Sequence, residues 1–391
     1  MLNVQKYLTG HLGVLVSNRA WRALCKNKPH YRLKQLAKAN ANANLNLFFF
    51  TVNTVDKKKK LIKGYYFDFT DNSWKTAIFS YPATIYRRGG VCKKERKSYR
   101  TFVRQCNKKK TLFLNPSSLG NWDIYNYFSS VKPLKPYLLQ TILYEDPEDL
   151  FYMMKKHKTI YLKGVTGRKG QNVVRVERLP DNQYQCKYYD HTKRKVHLLR
   201  YKKLDQIVPF IDKFYKGKKF MVQEAIDLLE VNHRRVDLRA ELQRNKIGEI
   251  EISGVSARKS KKDSPITIHA NAFPLDELFD LKKLSSEEKF KMKQQIENFL
   301  YTVYKKTEDK YGQFVEIGID FALTKDFQIK FIECNSQSAK VSLLKAHGKN
   351  TLNKAMLNIV LYAKYLLAEK AGVERKGKLT LVRKEDGVVN I

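Results

Sequence analysis

The sequence predicts a small α/β domain at the N-terminus followed by a larger α+β region. Three observations carry this. At 391 residues the chain is too long for one ordinary hydrophobic core. Strand and helix signals alternate through its first third, the pattern of a parallel sheet with crossover helices. From Glu148 onward long strands come in adjacent pairs and the helices stand apart. Hydrophobic residues at 43% and aromatics at 12% supply a packed interior and exclude a disordered chain.

Taken in order, residues 13–17 (GVLVS) are a short buried-strand signal, and 31–41 form a helix with Leu33, Leu36 and Ala37 on one face. The run 40–46 (NANANLN) reads as a helix end before a buried strand over 47–52. Residues 61–68 and 83–86 read as further strands. A helix over 149–156 leads into a strand at 159–163, a Gly-rich turn, and strands near 173–176, 183–189 and 196–201. After a helix over 204–215 come strands at 219–223, 236–243 and 249–257. Ser285 and Glu288 form a capping box ahead of Phe290, Ile296, Phe299, Leu300 and Val303 at helical spacing. Residues 314–323 and 328–333 are paired strands, and the last helix covers 352–369.

Lys+Arg number 76 against 38 Asp+Glu, a formal net charge of +38. This excludes an acidic solvating protein and raises a polyanionic partner or an anionic substrate, with a lysine-rich proteome as the plain alternative. The excess is spread over both halves of the chain and is locally dense over 87–110, where eleven Lys/Arg face one acid, Glu95, with Tyr99 and Phe102 interleaved. Such a run is either a polyanion-binding face or a solvated surface helix. No stretch has the ~18 uninterrupted apolar residues of a membrane span, and no signal-peptide pattern opens the chain. Five dispersed cysteines without C-x-x-C spacing fit reduced thiols in a cytoplasmic protein.

Three stretches carry chemistry. In the first, Lys163 ends a buried strand, and Gly164, Gly167 and Gly170 follow. Glycines let backbone N–H groups close over phosphate, and a strand-held ammonium adds a fixed charge. The G-x-x-x-x-G-K-[ST] spacing is absent, and taken alone the loop also reads as a basic hairpin turn. In the second, Gln223, Glu224, Ala225 and Ile226 end an apolar strand, and Asp237 and Arg239 follow on one face of another. The plain alternative for that pair is a surface ion pair. In the third, Asp320 lies on one strand, with Glu333 and Asn335 two apart on the next. Two carboxylates and an amide oxygen are hard donors suited to Mg²⁺ carrying nucleotide phosphates. Flanked by Ile, Phe and Gly, they would be costly to bury without a cation.

The order of these stretches resembles the ATP-grasp superfamily, in the branch of the ribosomal-protein glutamate ligase and glutathione synthetase. The chain is more similar still to the YheC/YheD family of spore-coat-associated ATP-grasp proteins of bacilli. Residues 13–17, Gly64-Tyr65-Tyr66, Trp74-Lys75 and Tyr86-Arg87-Arg88 extend that likeness across nearly 10–370.

The resemblance implies an α/β N-terminal domain over 1–113, then an α+β ATP-grasp fold over 114–372 whose two α+β subdomains grip ATP. The lid subdomain would lie at about 150–222, with a tail over 373–391. Its cofactors would be ATP and Mg²⁺. Lys163 would hold the α/β-phosphates under a cover of Gly164, Gly167 and Gly170, and Asp320, Glu333 and Asn335 would bind two Mg²⁺. Gln223, Glu224, Ala225 and Ile226 would meet the adenine edge and Asp237 the ribose. Arg239 and Arg258 would stabilise the transferred phosphoryl group. Three departures from the family pattern stand out: Asn121 in place of a lysine, Asn271-Ala272-Phe273 in place of a Gly-Gly pair after the Asn, and Ser336-Gln337-Ser338 in place of a Pro-Gly turn.

The leading reading is therefore a carboxylate–amine ligase acting on carboxylate and amine substrates, with an acidic peptide or anionic polymer as a candidate partner. The alternative is a catalytically weak ATP-binding protein associated with the spore coat or with a polyanion. Sequence-specific nucleic-acid binding finds no helix-turn-helix, zinc-finger or RNP pattern to support it.

Overall fold

The computed structural model describes residues 8–165, 171–260 and 271–372. Its strands form three sheets. The first contains β1 (Leu12–Leu15), β2 (Leu47–Phe50), β3 (Val55–Asp56), β4 (Leu61–Asp68), β5 (Ser73–Ser80), β6 (Thr84–Arg87) and β7 (Leu112–Phe113). β2, β1, β6 and β7 lie side by side and parallel. The expected parallel sheet is only half of it, since β3, β4 and β5 pair antiparallel. The short turn between β4 and β5, with Asn72 at φ 52°, leaves no room for a crossover.

The helices of this region are α1 (Asn18–Cys25), α2 (Tyr31–Ala39) and α3 (Arg96–Lys108). Leu24 of α1 and Leu33, Leu36 and Ala37 of α2 pack with Val14 and Phe49 on one face of the sheet. Phe102 and Cys106 of α3 pack with Phe48, Phe50 and Phe79 on the other.

α4 (Asn121–Ser130) then leads to the second sheet, with β8 (Thr141–Leu143), β9 (Thr159–Gly164), β10 (Val173–Arg178), β11 (Tyr184–Asp190), β12 (Lys195–Tyr201) and β13 (Phe220–Glu224). All its pairings are antiparallel, in the order β12-β11-β10-β9-β13-β8. α5 (Pro147–Lys156) and α6 (Val208–Tyr215) cover it through Leu150, Met153, Ile211 and Tyr215. Asp146 caps α5, and Pro147 at its first turn has no N–H to strand.

The third sheet holds β14 (Glu230–Val231), β15 (Arg234–Arg244), β16 (Ile250–Lys259), β17 (Asn271–Pro274), β18 (Glu316–Leu323) and β19 (Ile329–Asn335). α7 (Leu275–Leu281) and α8 (Ser286–Tyr311) pack on its apolar face, and the expected Ser285/Glu288 capping box opens α8. α9 (Val341–Lys370) starts earlier than its hydrophobic spacing predicts and breaks at Gly348. It packs on β15, β16 and β17 and also on α2. Leu352, Met356, Ile359 and Val360 thereby join the core of the first sheet.

Among the described residues no helix is long and apolar enough to cross a membrane. The five cysteines are all free.

Candidate active site

Period-two alternation divides the third sheet into an apolar and a polar face. On β15, Val236, Leu238, Ala240 and Leu242 enter the core, as do Ile317, Ile319 and Phe321 of β18. The opposite face carries Asp237, Arg239, Glu241 and Gln243 on β15, and Glu316, Gly318 and Asp320 on β18. All of these positions are buried. Antiparallel register sets Arg239 opposite Asp320, Asp237 opposite Arg258, and Asp320 opposite Glu333. Sequence spacing places these side chains on common faces, and the register brings them together.

The ion pairs follow from that register. Arg239 Nη1 donates to Asp320 Oδ1 at 2.7 Å, and Arg258 Nη2 lies 3.3 Å from the same oxygen. Arg258 Nε donates to Asp237 Oδ1 at 2.6 Å. Burial alone would raise the Asp320 carboxyl. The two guanidiniums outweigh it and hold the group below its ordinary value. Gly318 leaves the space that the Arg239 guanidinium fills.

Glu333 behaves in the opposite way. Burial, then the charge of Asp320, push its carboxyl up to about 7, although Asn335 Nδ2 donates to its Oε1 at 3.0 Å. Two carboxylates this close need a proton or a cation between them. Among the described residues no three or more His, Cys, Asp or Glu gather as a metal nest. The donor set is two acids and an amide, which fits a hard divalent ion that keeps water and phosphate oxygens in its own shell.

The second sheet faces this acid pair with Lys163. Its Nζ donates to Gln223 Oε1 at 2.6 Å, and Gln223 Nε2 donates to Thr141 Oγ1 at 2.9 Å. Burial pushes the ammonium below its ordinary value, against the pull of Glu333, Asp320 and Asp237. Gly164 closes β9 opposite Phe220. Gly167 and Gly170 lie outside the described residues.

Glu224 ties its own segment to the strand and helix beside it. Its Oε1 accepts from Gln140 N at 2.8 Å, and its Oε2 lies 3.4 Å from His157 Nδ1. The N–H groups of Glu224 and Ala225 donate to the carbonyls of Gln140 and Thr159. Ile226 O accepts from Leu228 N at 3.0 Å.

Sequence reasoning missed a chain of buried charges behind this site. Tyr86 Oη donates to Glu316 Oε1 at 2.6 Å, and Arg88 Nη1 lies 3.6 Å from that oxygen. Lys340 Nζ bonds Glu316 Oε2 and lies 3.6 Å from Glu241 Oε2. Glu241 Oε1 accepts from Arg239 Nε at 3.0 Å and from the Ser338 hydroxyl. Charges thus alternate from Arg88 through Glu316, Lys340, Glu241, Arg239, Asp320 and Arg258 to Asp237. Ser338, inside the segment that departs from the Pro-Gly pattern, also accepts from Arg239 Nη2 at 3.1 Å and gives its carbonyl to Arg88. The polar series at 237, 239, 241 and 243 was the available signal for Glu241.

Comparison with known proteins gives a consistent picture. Residues 110–366 match the model of a family described as YheC/D like ATP-grasp. The chain is 21% identical over 333 residues to the endospore coat-associated protein YheD of Bacillus subtilis, a match covering 83% of this chain and 71% of that one. In fold it is similar to D-alanyl-alanine synthetase A of Vibrio cholerae, with a TM-score of 0.52, 12% identity, and 91% and 99% of the two chains covered. It is also similar to the macrocyclase MdnC of Microcystis aeruginosa bound with its precursor peptide, with a TM-score of 0.51, 12% identity, and 90% and 99% covered.

Proposed function

The chain belongs to the YheC/D-like ATP-grasp family, and on that premise we propose that it is a Mg·ATP-dependent carboxylate–amine ligase working through an acyl-phosphate. One observation carries the proposal: Asp320 stands opposite Glu333 on the third sheet and is paired with Arg239 and Arg258, and Lys163 of the second sheet lies within electrostatic reach of both acids. An acid pair set among three cations suits a metal ion and a polyphosphate arriving together.

In this reading Asp320, Glu333 and Asn335 would hold Mg²⁺, as two ions, and Lys163 would take the α/β-phosphates. Bound Mg²⁺ would supply Lewis-acid neutralisation of the phosphate oxygens. A substrate carboxylate attacks the γ-phosphorus, ADP leaves, and an amine then displaces phosphate from the acyl-phosphate. Arg239 and Arg258 offset the charge on the transferring group. Asp237 holds Arg258 in place, and a ribose hydroxyl would meet the same carboxylate. With two hinge N–H groups already spent, adenine would be met by other groups of the 223–226 segment.

The amide-forming name of one neighbour and the bound peptide of the other support an amino-acid or peptide substrate. The net charge of +38 favours an acidic peptide or polymer as acceptor. We place the protein in the cytoplasm, with a spore-coat association suggested by its relative's name.

A second reading, an ATP-binding protein with little turnover, draws on Arg239. Asp320, Glu241 and Ser338 already occupy three of its five N–H donors. ADP release measured with a panel of amino acids, acidic peptides and anionic polymers separates the two. Acceptor-dependent ADP release supports the ligase; its absence across the panel, with Mg·ATP still bound, supports the second reading.

A further inference from the structure

Helix α3 breaks the local electrostatic rules of helices. Arg96, Arg100, Arg104 and Lys108 recur every four residues and are all exposed. At that spacing they form a single row of like charges about 6 Å apart, each neighbour working against the helix. The one acid at this end, the N-cap Glu95, is buried with its carboxylate taken by Asn18 Nδ2 and Cys92 N, and no acid stands within the first turn, so Arg96 begins the row near the positive end of the helix dipole. None of the four has an ion-pair partner among the described residues. The inward face offers a packing reason for the helix, through Phe102 and Cys106, and none for the row.

The fold adds a second basic run beside it. Lys57 Nζ donates to Ser98 Oγ at 2.6 Å, and Gln105 Nε2 donates to Lys57 O at 3.1 Å, so the 57–60 turn lies along the flank of α3. Lys58, Lys59 and Lys60 are exposed there. The one acid of that turn, Asp56, accepts from the N–H groups of Lys58 and Lys59. Arg88, part of the same basic stretch in sequence, is instead drawn into the buried charge chain. The exposed cationic face is therefore α3 with the 57–60 turn, across the first sheet from the side where α9 packs.

We propose that α3 and the 57–60 turn form a docking face for an acidic polypeptide segment, separate from the Asp320–Glu333 site. Flexible carboxylate side chains can meet a row of guanidiniums at this spacing, each pair strengthened by charge-assisted hydrogen bonds. A single-stranded nucleic acid would want stacking platforms, and the aromatics of this helix are turned inward: Phe102 is buried and Tyr99 packs against the same core. Docking itself stands apart from the proposed ligase reading. Only its purpose, delivery of a long acceptor to the Asp320–Glu333 site, rests on that reading.

The test uses the full chain and poly-L-glutamate. The double variant Arg100→Glu, Lys108→Glu turns the row into alternating charges and removes the field, the relief of like-charge repulsion along the row offsetting the loss of a cation from the last turn. Polyglutamate is expected to bind the natural chain at low salt and to weaken as salt rises. It should bind the variant roughly ten-fold more weakly. The thermal shift given by Mg·ATP should be the same in both. Equal polyglutamate affinity in the two proteins overturns the proposal. So does tighter binding of a single-stranded oligonucleotide than of polyglutamate by the natural chain. Should the variant fail to fold, Arg100→Gln, Lys108→Gln makes the same comparison without new charges. Loss of the Mg·ATP shift in the natural chain, with polyglutamate still bound, would overturn the nucleotide reading and leave the docking face standing.

Discussion

Gly318 lies directly against the guanidinium of Arg239: a Cβ at position 318 would stand 2.2 Å from Nη2 and 2.5 Å from Cζ. The strand therefore uses a glycine where its neighbours are large, because a charged plane must lie flat on the backbone there.

Gly318→Ala should displace Arg239 and break its bonds to Asp320 and Ser338. The expected cost is about 1–3 kcal/mol in denaturant unfolding, together with loss of most acceptor-dependent ADP release. Unchanged stability and turnover would show that Arg239 can shift without consequence.

Glu333→Gln keeps the volume and removes one negative charge from the Asp320 pair. Folding should survive, since burial already works against that charge. The extra thermal stabilisation by Mg·ATP over ATP with chelator should disappear. A variant with a full metal-dependent shift would remove Glu333 from the metal site.

Lys163→Met tests the phosphate role. The ammonium is held below its ordinary value by burial, so replacing it with an apolar chain of similar length should leave the ligand-free melting temperature unchanged or raised. The ATP-induced shift should fall sharply. Loss of the ligand-free fold would instead make Lys163 a structural partner of Gln223.

Glu316 gives a pH prediction. Burial would raise its carboxyl, but Lys340 and Arg88 outweigh that and hold it below its ordinary value. A depressed acid contributes stability that is present above its unfolded pKa and is lost as pH falls through the folded value. Denaturant unfolding between about pH 5 and pH 3 should therefore show a decline that Glu316→Gln makes shallower. At pH 7 that variant should be less stable by about 3–5 kcal/mol, because Lys340 and Arg88 lose a buried counter-charge. An identical acid slope in both proteins would assign the decline to other carboxylates.

Local pattern makes one face of the site legible. Asp237 with Arg239, and Glu333 with Asn335, sit two apart on strands, and period two alone aligns them. Contacts between distant segments are not legible in that way. Tyr86 and Glu316 are 230 positions apart, and nothing near either residue marks the other. Ser338 reads as a departure from a turn pattern, yet its hydroxyl and carbonyl join three charged side chains. The β4–β5 hairpin is half visible in sequence, since the strand at 61–68 is legible and its partner Ser73–Ser80 is not. The start of α9 escapes sequence reading because Lys340 to Gly348 carries no continuous apolar stripe, and tertiary packing holds it instead.

The row of alternating charges from Arg88 to Asp237 bears on how this protein can be recombined. Its first member directly follows β6 of the first sheet, and the rest lie on β15, β16 and β18 of the third sheet and at Lys340 ahead of α9. A chimera that took residues 1–113 from a relative with another side chain at position 88 would leave Glu316 short of one counter-charge, and a substitution at 86 would remove its hydroxyl donor as well. The two halves are therefore not freely exchangeable parts. Shuffling them between family members should yield soluble protein only where Tyr86, Arg88, Glu316 and Lys340 travel as a matched set.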